Sequence, residues 1–360
     1  MRVGIGDDAA VLAPDRNAFD VVTTDSLVEG VHFDRRFVPA RAIGYRGLAA
    51  NLSDLAAMGA RPRAALLSLA LPDSLAVGDF DGIVDGVLAV ATRYQVALVG
   101  GNIARSPGPL VVDITALGSA QERRIMSRGG ARPGDAIYVS GAIGAAAAGL
   151  EWCRAHEADA LKMGEALRMS DPASAGLDRH AEEAAAGSER SRRNGGSRIE
   201  QVRGAVARFL YPDPRVRLGW VLARTRAATS CVDLSDGLAD GVHQLAAASG
   251  VGAFIDADLV PVSPAAADWF RQSGRDPVVA AITGGEDYEL LFTAPARRSR
   301  LIDTVVRQVG RRRGGGDEAG GAATARLLLT RIGAITREPR VVLRRNGGDE
   351  ALPRGFTHFR

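Results

Sequence analysis

Acidic residues beside Gly, Ser or Thr, each next to an apolar run, recur four times: Asp7-Asp8, Thr23-Thr24-Asp25, Ser53-Asp54 and Asp233-Leu234-Ser235-Asp236. Two half-buried carboxylates about 6 Å apart repel by roughly 3 kcal/mol at an effective dielectric near 20, so a cluster of them needs a compensating charge. A divalent cation supplies it. Oxygen donors alone, with hydroxyls beside the carboxylates and no His or Cys among them, favour Mg²⁺ over zinc or copper. The usual client of such a cluster is a polyphosphate.

Other phosphate chemistry is narrowed by what the chain lacks. Lys162 is its only lysine, and it sits in a helical, solvated context. The Gly-x-x-x-x-Gly-Lys-Ser/Thr loop is absent, as is the Val-Ala-Ile-Lys and His-Arg-Asp set of protein kinases. If ATP is handled, another architecture does it.

With 360 residues, 46% of them hydrophobic and 24% charged, the chain reads as a soluble globular protein of two domains. No apolar run reaches membrane-spanning length and the N-terminus lacks the regions of a signal peptide. A cytoplasmic enzyme without membrane contact is expected. Cys153 and Cys231 show no paired spacing and are expected as small core residues. The net charge of +3 does not argue for nucleic acid. Much of the arginine falls near 188–198 and 297–321, segments rich in Gly, Ser and Glu and too poor in apolar side chains to offset ordering entropy. Flexible insertions are expected near 187–197 and 310–321.

The elements that must position the acidic residues can be placed from periodicity. A strand is expected at Asp20 to Thr23, a helix from about Ala40 to Ala50, and a strand at Ala64 to Ala70. A helix with Phe80, Ile83, Val84, Val87 and Ala91 on one face follows, then strands at Val96 to Val99 and Leu110 to Leu117. This βαβαββ order is an α/β sandwich with helices on one sheet face, and its open face predicts pairing with a second copy. Ser127 to Asp135 reads as the link between domains of 1–126 and 127–360. The second α/β domain opens with a strand at Ala136 to Ser140, a Gly141 to Gly144 turn and an alanine-rich helix. Later strands are expected at Ser230 to Asp233, Gly252 to Ile255, Leu290 to Thr293 and Val341 to Leu343.

Six motifs carry a resemblance: Gly4-Ile-Gly-Asp-Asp-Ala-Ala-Val11, Thr23 to Phe33, Asn51-Leu-Ser-Asp-Leu-Ala-Ala-Met-Gly59, Ser127 to Asp135, Asp233-Leu-Ser-Asp-Gly237 and Gly284-Gly-Glu-Asp-Tyr-Glu-Leu290. In length and order they resemble the thiamine-monophosphate kinases, of the superfamily that includes aminoimidazole ribonucleotide synthetase and selenophosphate synthetase. The resemblance implies transfer of the γ-phosphoryl group of ATP to thiamine monophosphate in a homodimer with several Mg²⁺ ions. It puts metal ligands on Asp8, Thr23, Thr24, Asp25, Asp54, Asp233 and Asp236. ATP contacts fall on Gly101, Asn102, Arg128 and Ser235, and substrate contacts on His32, Glu286 and the C-terminal Phe356. No general base is implied, because a phosphate monoester is largely anionic at neutral pH. Phe356 could stack on the thiamine rings, and Glu286 could accept from the aminopyrimidine or offset the thiazolium. The bland readings are helix caps or turns for Asp25 and Asp54, a satisfied histidine for His32, a surface ion pair for Arg128, and a turn residue for Asp7.

Two departures from the family stand out. Gly100-Gly101-Asn102 replaces a family Gly-Gly-Asp whose aspartate is a metal ligand, so one Mg²⁺ is expected to bind more weakly at Asn102 or to shift. The chain also opens almost on its first motif, for which an upstream start or a truncation would account. Selenophosphate synthetase is disfavoured by the missing Cys and Lys ahead of the first Asp motif. The remaining alternatives are an aminoimidazole ribonucleotide synthetase-like enzyme and a catalytically silent nucleotide-binding scaffold.

Overall fold

A computed structural model describes residue 5 and residues 9–169, 198–310 and 327–355, the side chains of 168 and 169 excepted. Asp7, Asp8, Phe356 and both expected insertions, apart from Gly310, lie outside the described residues.

The first sheet is built from β1 (Phe19–Val28), β2 (Arg61–Pro72), β3 (Ala97–Ser106) and β4 (Val111–Ala120) in the order β1-β4-β2-β3. Only β2 and β3 run parallel. Helices α1 (Ala40–Ala57) and α2 (Val77–Tyr94) cover one face, giving the βαβαββ order the sequence predicts. The helices approach closely because Gly44 and Gly86 lack side chains: a Cβ on either would stand 1.9 or 2.0 Å from a carbonyl oxygen of the facing helix.

Three elements extend beyond the sequence expectation, each by carrying a polar motif. Strand β1 continues through Thr23-Thr24-Asp25, α1 continues through Ser53-Asp54, and β3 includes Gly101 and Asn102. Asp25 is therefore mid-strand and Asp54 lies inside the last two turns of a helix, so neither is a cap or turn residue.

The second sheet orders β11-β10-β7-β9-β5-β8-β6. Its strands are β5 (Asp135–Ser140), β6 (Ser230–Asp233), β7 (Gly252–Asp256), β8 (Leu290–Pro295), β9 (Leu329–Thr336), β10 (Val341–Arg345) and β11 (Gly348–Ala351). Helices cover both faces. Ile137 and Val139 of β5 face a core shared with α7 (Leu238–Ser249), α8 (Pro264–Gln272) and α9 (Pro277–Thr283). Ala136 and Tyr138 face the opposite core, with α6 (Val216–Thr225) and α10 (Ser299–Gly310). Strand β9 is absent from the sequence expectation, because Arg331 and Gly333 interrupt its apolar pattern; Gly333 is required there, since a Cβ would stand 1.9 Å from the Phe254 oxygen.

Helices α3 (Ala145–Ala155), α4 (Glu157–Met169) and α5 (Arg198–Leu210) follow β5 in sequence yet send Cys153, Ala160, Val206 and Phe209 into the core of the first sheet. Helix α1 belongs to both layers. Its middle packs on the first sheet, and Ala56 and Ala57 near its end pack with Leu222 of α6 and Leu290 of β8. This shared helix is what brings the acidic motifs of the two halves together.

Candidate active site

The cleft between the two sheets encloses about 550 Å³, within the usual range for a small-molecule site. Its acidic end is built from Asp25 on β1, Asp54 on α1, and Asp233, Ser235 and Asp236 at the end of β6. The halves are joined by a hydrogen bond from Ser53 Oγ to Asp233 Oδ2 at 2.8 Å, and within the first half Thr23 Oγ1 donates to Asp54 Oδ2 at 2.5 Å. Ser235 Oγ also faces Asp233 Oδ1, at 3.4 Å.

The electrostatics of this end are those of crowded carboxylates. Burial pushes Asp25 up to about 6, with further upward pressure from Asp54, Asp113 and Asp236. Burial, then Asp54 and Asp25, push Asp233 up to about 7, against the Ser53 hydrogen bond and the positive charge of Arg128. Asp54 is raised by burial and held back by Thr23 and Arg128. Arg128 thus acts on the cluster from the segment between β4 and β5, which is pinned where Cys231 N–H donates to Ser127 O at 2.8 Å. Such perturbation marks a functional site more often than a structural one.

Among the described residues no three His, Cys, Asp or Glu side chains gather tightly enough to hold one ion unaided. Mg²⁺ commonly takes one or two carboxylates and completes its octahedron with water and phosphate oxygens. The donors therefore fit an ion that arrives with a nucleotide.

The rest of the cleft is lined by Leu27, Phe33, Phe37, Leu150 and Tyr288, with His32, Asp34, Glu151, Arg154 and Glu286 as polar groups. His32 Nδ1 accepts from Val28 N–H at 3.1 Å. Glu286 sits at φ +67° and Tyr288 at +50°, a strained pairing held because Glu286 N–H donates to Ser235 O at 2.7 Å and Tyr288 N–H to Leu234 O at 3.0 Å. Gly285 allows that approach: a Cβ there would stand 2.5 Å from Ser235 O. Asp287 is structural, as its carboxylate accepts from Gly144 and Ala146 N–H at the start of α3; burial pushes it up to about 7.

Thr23 and Arg128 do not line the cleft and act on it through Asp54 and Asp233, and three further expected residues stand apart from it. Thr24 lies on the uncovered sheet face, its hydroxyl 3.2 Å from Ile114 O and 3.1 Å from Thr115 Oγ1. Asn102 shares that face, in register with Ser68, Asp113 and Ser26. Gly101 occupies the same row as Asp25 but three strands away, about 14 Å at ordinary strand spacing. Sequence reasoning missed Arg154, which carries no motif signal, and Arg46, which pairs with Glu286 from α1 at 2.8 Å; an arginine set among Ile43, Tyr45 and Leu48 was the available clue.

The family described as AIR synthase related protein, N-terminal domain, matches residues 6–120. A thiamine-monophosphate kinase of Synechococcus elongatus is 34% identical over 98% of this chain and 91% of its own length. The crystal structure of the thiamine-monophosphate kinase from Stenotrophomonas maltophilia K279a superposes with a TM-score of 0.74 at 34% identity, covering 97% of this chain and 92% of that one. AaThiL complexed with AMPPCP and TMP superposes at 0.70 with 27% identity, over 96% and 89% of the two chains.

Proposed function

We propose, for a chain that belongs to the thiamine-monophosphate kinase family, that the acidic end of the cleft takes ATP with Mg²⁺ and the apolar end takes thiamine monophosphate. The enzyme transfers the γ-phosphoryl group of ATP to thiamine monophosphate, giving thiamine diphosphate and ADP. The observation that carries the assignment of ends is the convergence of Asp25, Asp54 and Asp233, all raised by burial and Asp25 and Asp233 also by neighbouring carboxylates, in a cleft whose remaining lining is rich in apolar side chains and bears Glu286.

The acceptor phosphate is its own nucleophile at neutral pH, so no residue needs to remove a proton. Charge repulsion between two anions is the obstacle. Bound Mg²⁺ would neutralise both phosphates and hold attacking and leaving oxygens in line. Asp25, Asp54, Asp233 and Asp236 would hold it, with Thr23 beside them and Asp8 as the further ligand that the family resemblance implies. Thr23 and Ser53 orient Asp54 and Asp233 through the hydrogen bonds above. Arg128 offers a fork for phosphate oxygens, and Ser235 a hydroxyl. Phe33, Phe37 and Tyr288 exclude water around the thiamine rings, on which the family resemblance would also stack Phe356, while His32 and Glu286 supply the polar contacts.

The domain of residues 1–126 would also dimerise. Its open face exposes Val22 (59%) and Leu66 (36%) beside Thr24 and Asn102, so these last two, with Gly101, would meet nucleotide and metal at the junction with a second copy. The two buried thiols, Cys153 and Cys231, suit a reducing cytoplasm. Among the described residues, no helix is long and apolar enough to cross a membrane.

A product assay tests the reading: ATP with thiamine monophosphate, and in parallel with the aminoimidazole ribonucleotide synthetase substrate. Thiamine diphosphate and ADP in equal amounts are expected from the first alone. Turnover only with the second, or with neither, contradicts the proposal.

A further inference from the structure

We propose that Arg46 positions the thiamine end of the cleft, its single Nη2 nitrogen tethering the Glu286 carboxylate to the turn that carries His32. The inference rests on the reading of this end as the thiamine monophosphate site.

Nη2 donates to both Glu286 oxygens at 2.8 Å and to the His32 carbonyl oxygen at 3.2 Å. The side chain is 1% exposed and its guanidinium carbon stands 4.5 Å from the Phe209 ring centroid. Nε and Nη1, both buried, have no hydrogen-bond partner. An arginine selected for stability alone would form a two-nitrogen fork with its carboxylate, because unpaired buried donors are costly. The same loop supplies the contrast. Glu289, fully buried, takes Arg215 through Nε and Nη2 at 2.7 and 2.5 Å and Arg208 at 2.7 Å. Of Glu286, Asp287 and Glu289, only Glu286 lines the cleft.

Arg46 itself does not line the cleft, so it acts on substrate through Glu286 and His32. Backbone bonds hold Glu286 at φ +67°, and the tether fixes where its carboxylate then points. With one nitrogen making every contact, a lysine ammonium, itself a single nitrogen with three donors, can replace it and leaves no unpaired guanidinium nitrogen behind.

The test compares steady-state kinetics and melting temperatures of wild type, R46M, R46K, E286Q and R46M/E286Q. R46M is expected to raise KM for thiamine monophosphate about tenfold with KM for ATP within about twofold of wild type. R46K recovers the thiamine monophosphate KM to within about threefold, and the double variant is no worse than E286Q, the mark of two residues acting as one unit. An unchanged thiamine monophosphate KM in R46M, multiplying effects of R46M and E286Q, or equal loss toward both substrates overturns the proposal. If R46M does not fold, R46Q carries the same comparison, and failure of both to fold assigns Arg46 a structural role instead. Wild type that does not turn over thiamine monophosphate overturns the functional reading along with this one; active wild type with an indifferent R46M overturns this one alone.

Discussion

Asp25 and Asp233 are held at about 6 and about 7 by burial and then by neighbouring carboxylates, Asp54 foremost, so their ionised forms strain the fold in the absence of a cation. Replacing one carboxylate by an isosteric amide should relieve repulsion while removing a phosphate-bound ion's support. Asp25→Asn is therefore expected to melt no lower than wild type without Mg²⁺ and to lose about 100-fold or more of its turnover, roughly 2.7 kcal/mol of transition-state stabilisation. A lower melting temperature together with wild-type turnover would contradict both halves. Asn102→Asp should preserve or raise Mg²⁺ affinity measured by titration calorimetry with nucleotide present, since a carboxylate replaces a neutral carbonyl; a large loss would give Asn102 a role of its own. Asp25, Asp54 and Asp233 were legible because their motifs carry Thr23, Ser53 and Ser235, hydroxyls that survive as hydrogen bonds. Arg46 was not, because its significance lies in a pairing 240 residues away.

Helix α1 explains why the elements assemble as they do. It carries Arg46 toward one end of the cleft and Asp54 toward the other, so an error in its register would disturb both. Its expected end near Ala50 fell short because Asn51, Ser53 and Asp54 read as turn residues; in the structure Ser53 is spent on Asp233 and Asn51 Nδ2 donates to Gly47 O at 3.0 Å. Tertiary partners thus override local preference. The Gly284 to Glu289 loop is the complementary device, and Gly285 its tightest point. Gly285→Ala, whose Cβ would stand 2.5 Å from Ser235 O, is expected to destabilise by about 1–3 kcal/mol in denaturant melts and to raise KM for thiamine monophosphate, as the loop is pushed off the Leu234-Ser235 segment. Retention of both properties would show that the loop is free to shift. Most strands of both sheets were legible from apolar runs, whereas β9 was hidden by Arg331 and Gly333, which only the neighbouring Phe254 backbone explains.

For the molecule as a whole, the raised carboxyls set a pH dependence. Asp25 and Asp233 bind protons more tightly folded than unfolded, so their contribution to stability is complete below the ordinary value of 3.8 and is lost as pH rises through about 6 and about 7. Mg²⁺ with nucleotide should reverse this by binding the ionised forms, and the gain in melting temperature is expected to be larger at about pH 8 than at about pH 5. Equal gains at both would detach the ion from these groups. The open face of the first sheet makes a second prediction at this scale: Leu66→Asp should shift sedimentation from dimer toward monomer, because it places a charge at the centre of the proposed apolar contact. The account as a whole stands on carboxylates from both halves of the chain holding Mg²⁺ between two phosphates. The most direct measurement is the initial rate of thiamine diphosphate formation against free Mg²⁺, at saturating ATP and thiamine monophosphate, for wild type and Asp54→Asn. A saturable rise for wild type and a loss of about 100-fold for the variant at every Mg²⁺ concentration are predicted; a folded Asp54→Asn that follows the wild-type curve would contradict the account.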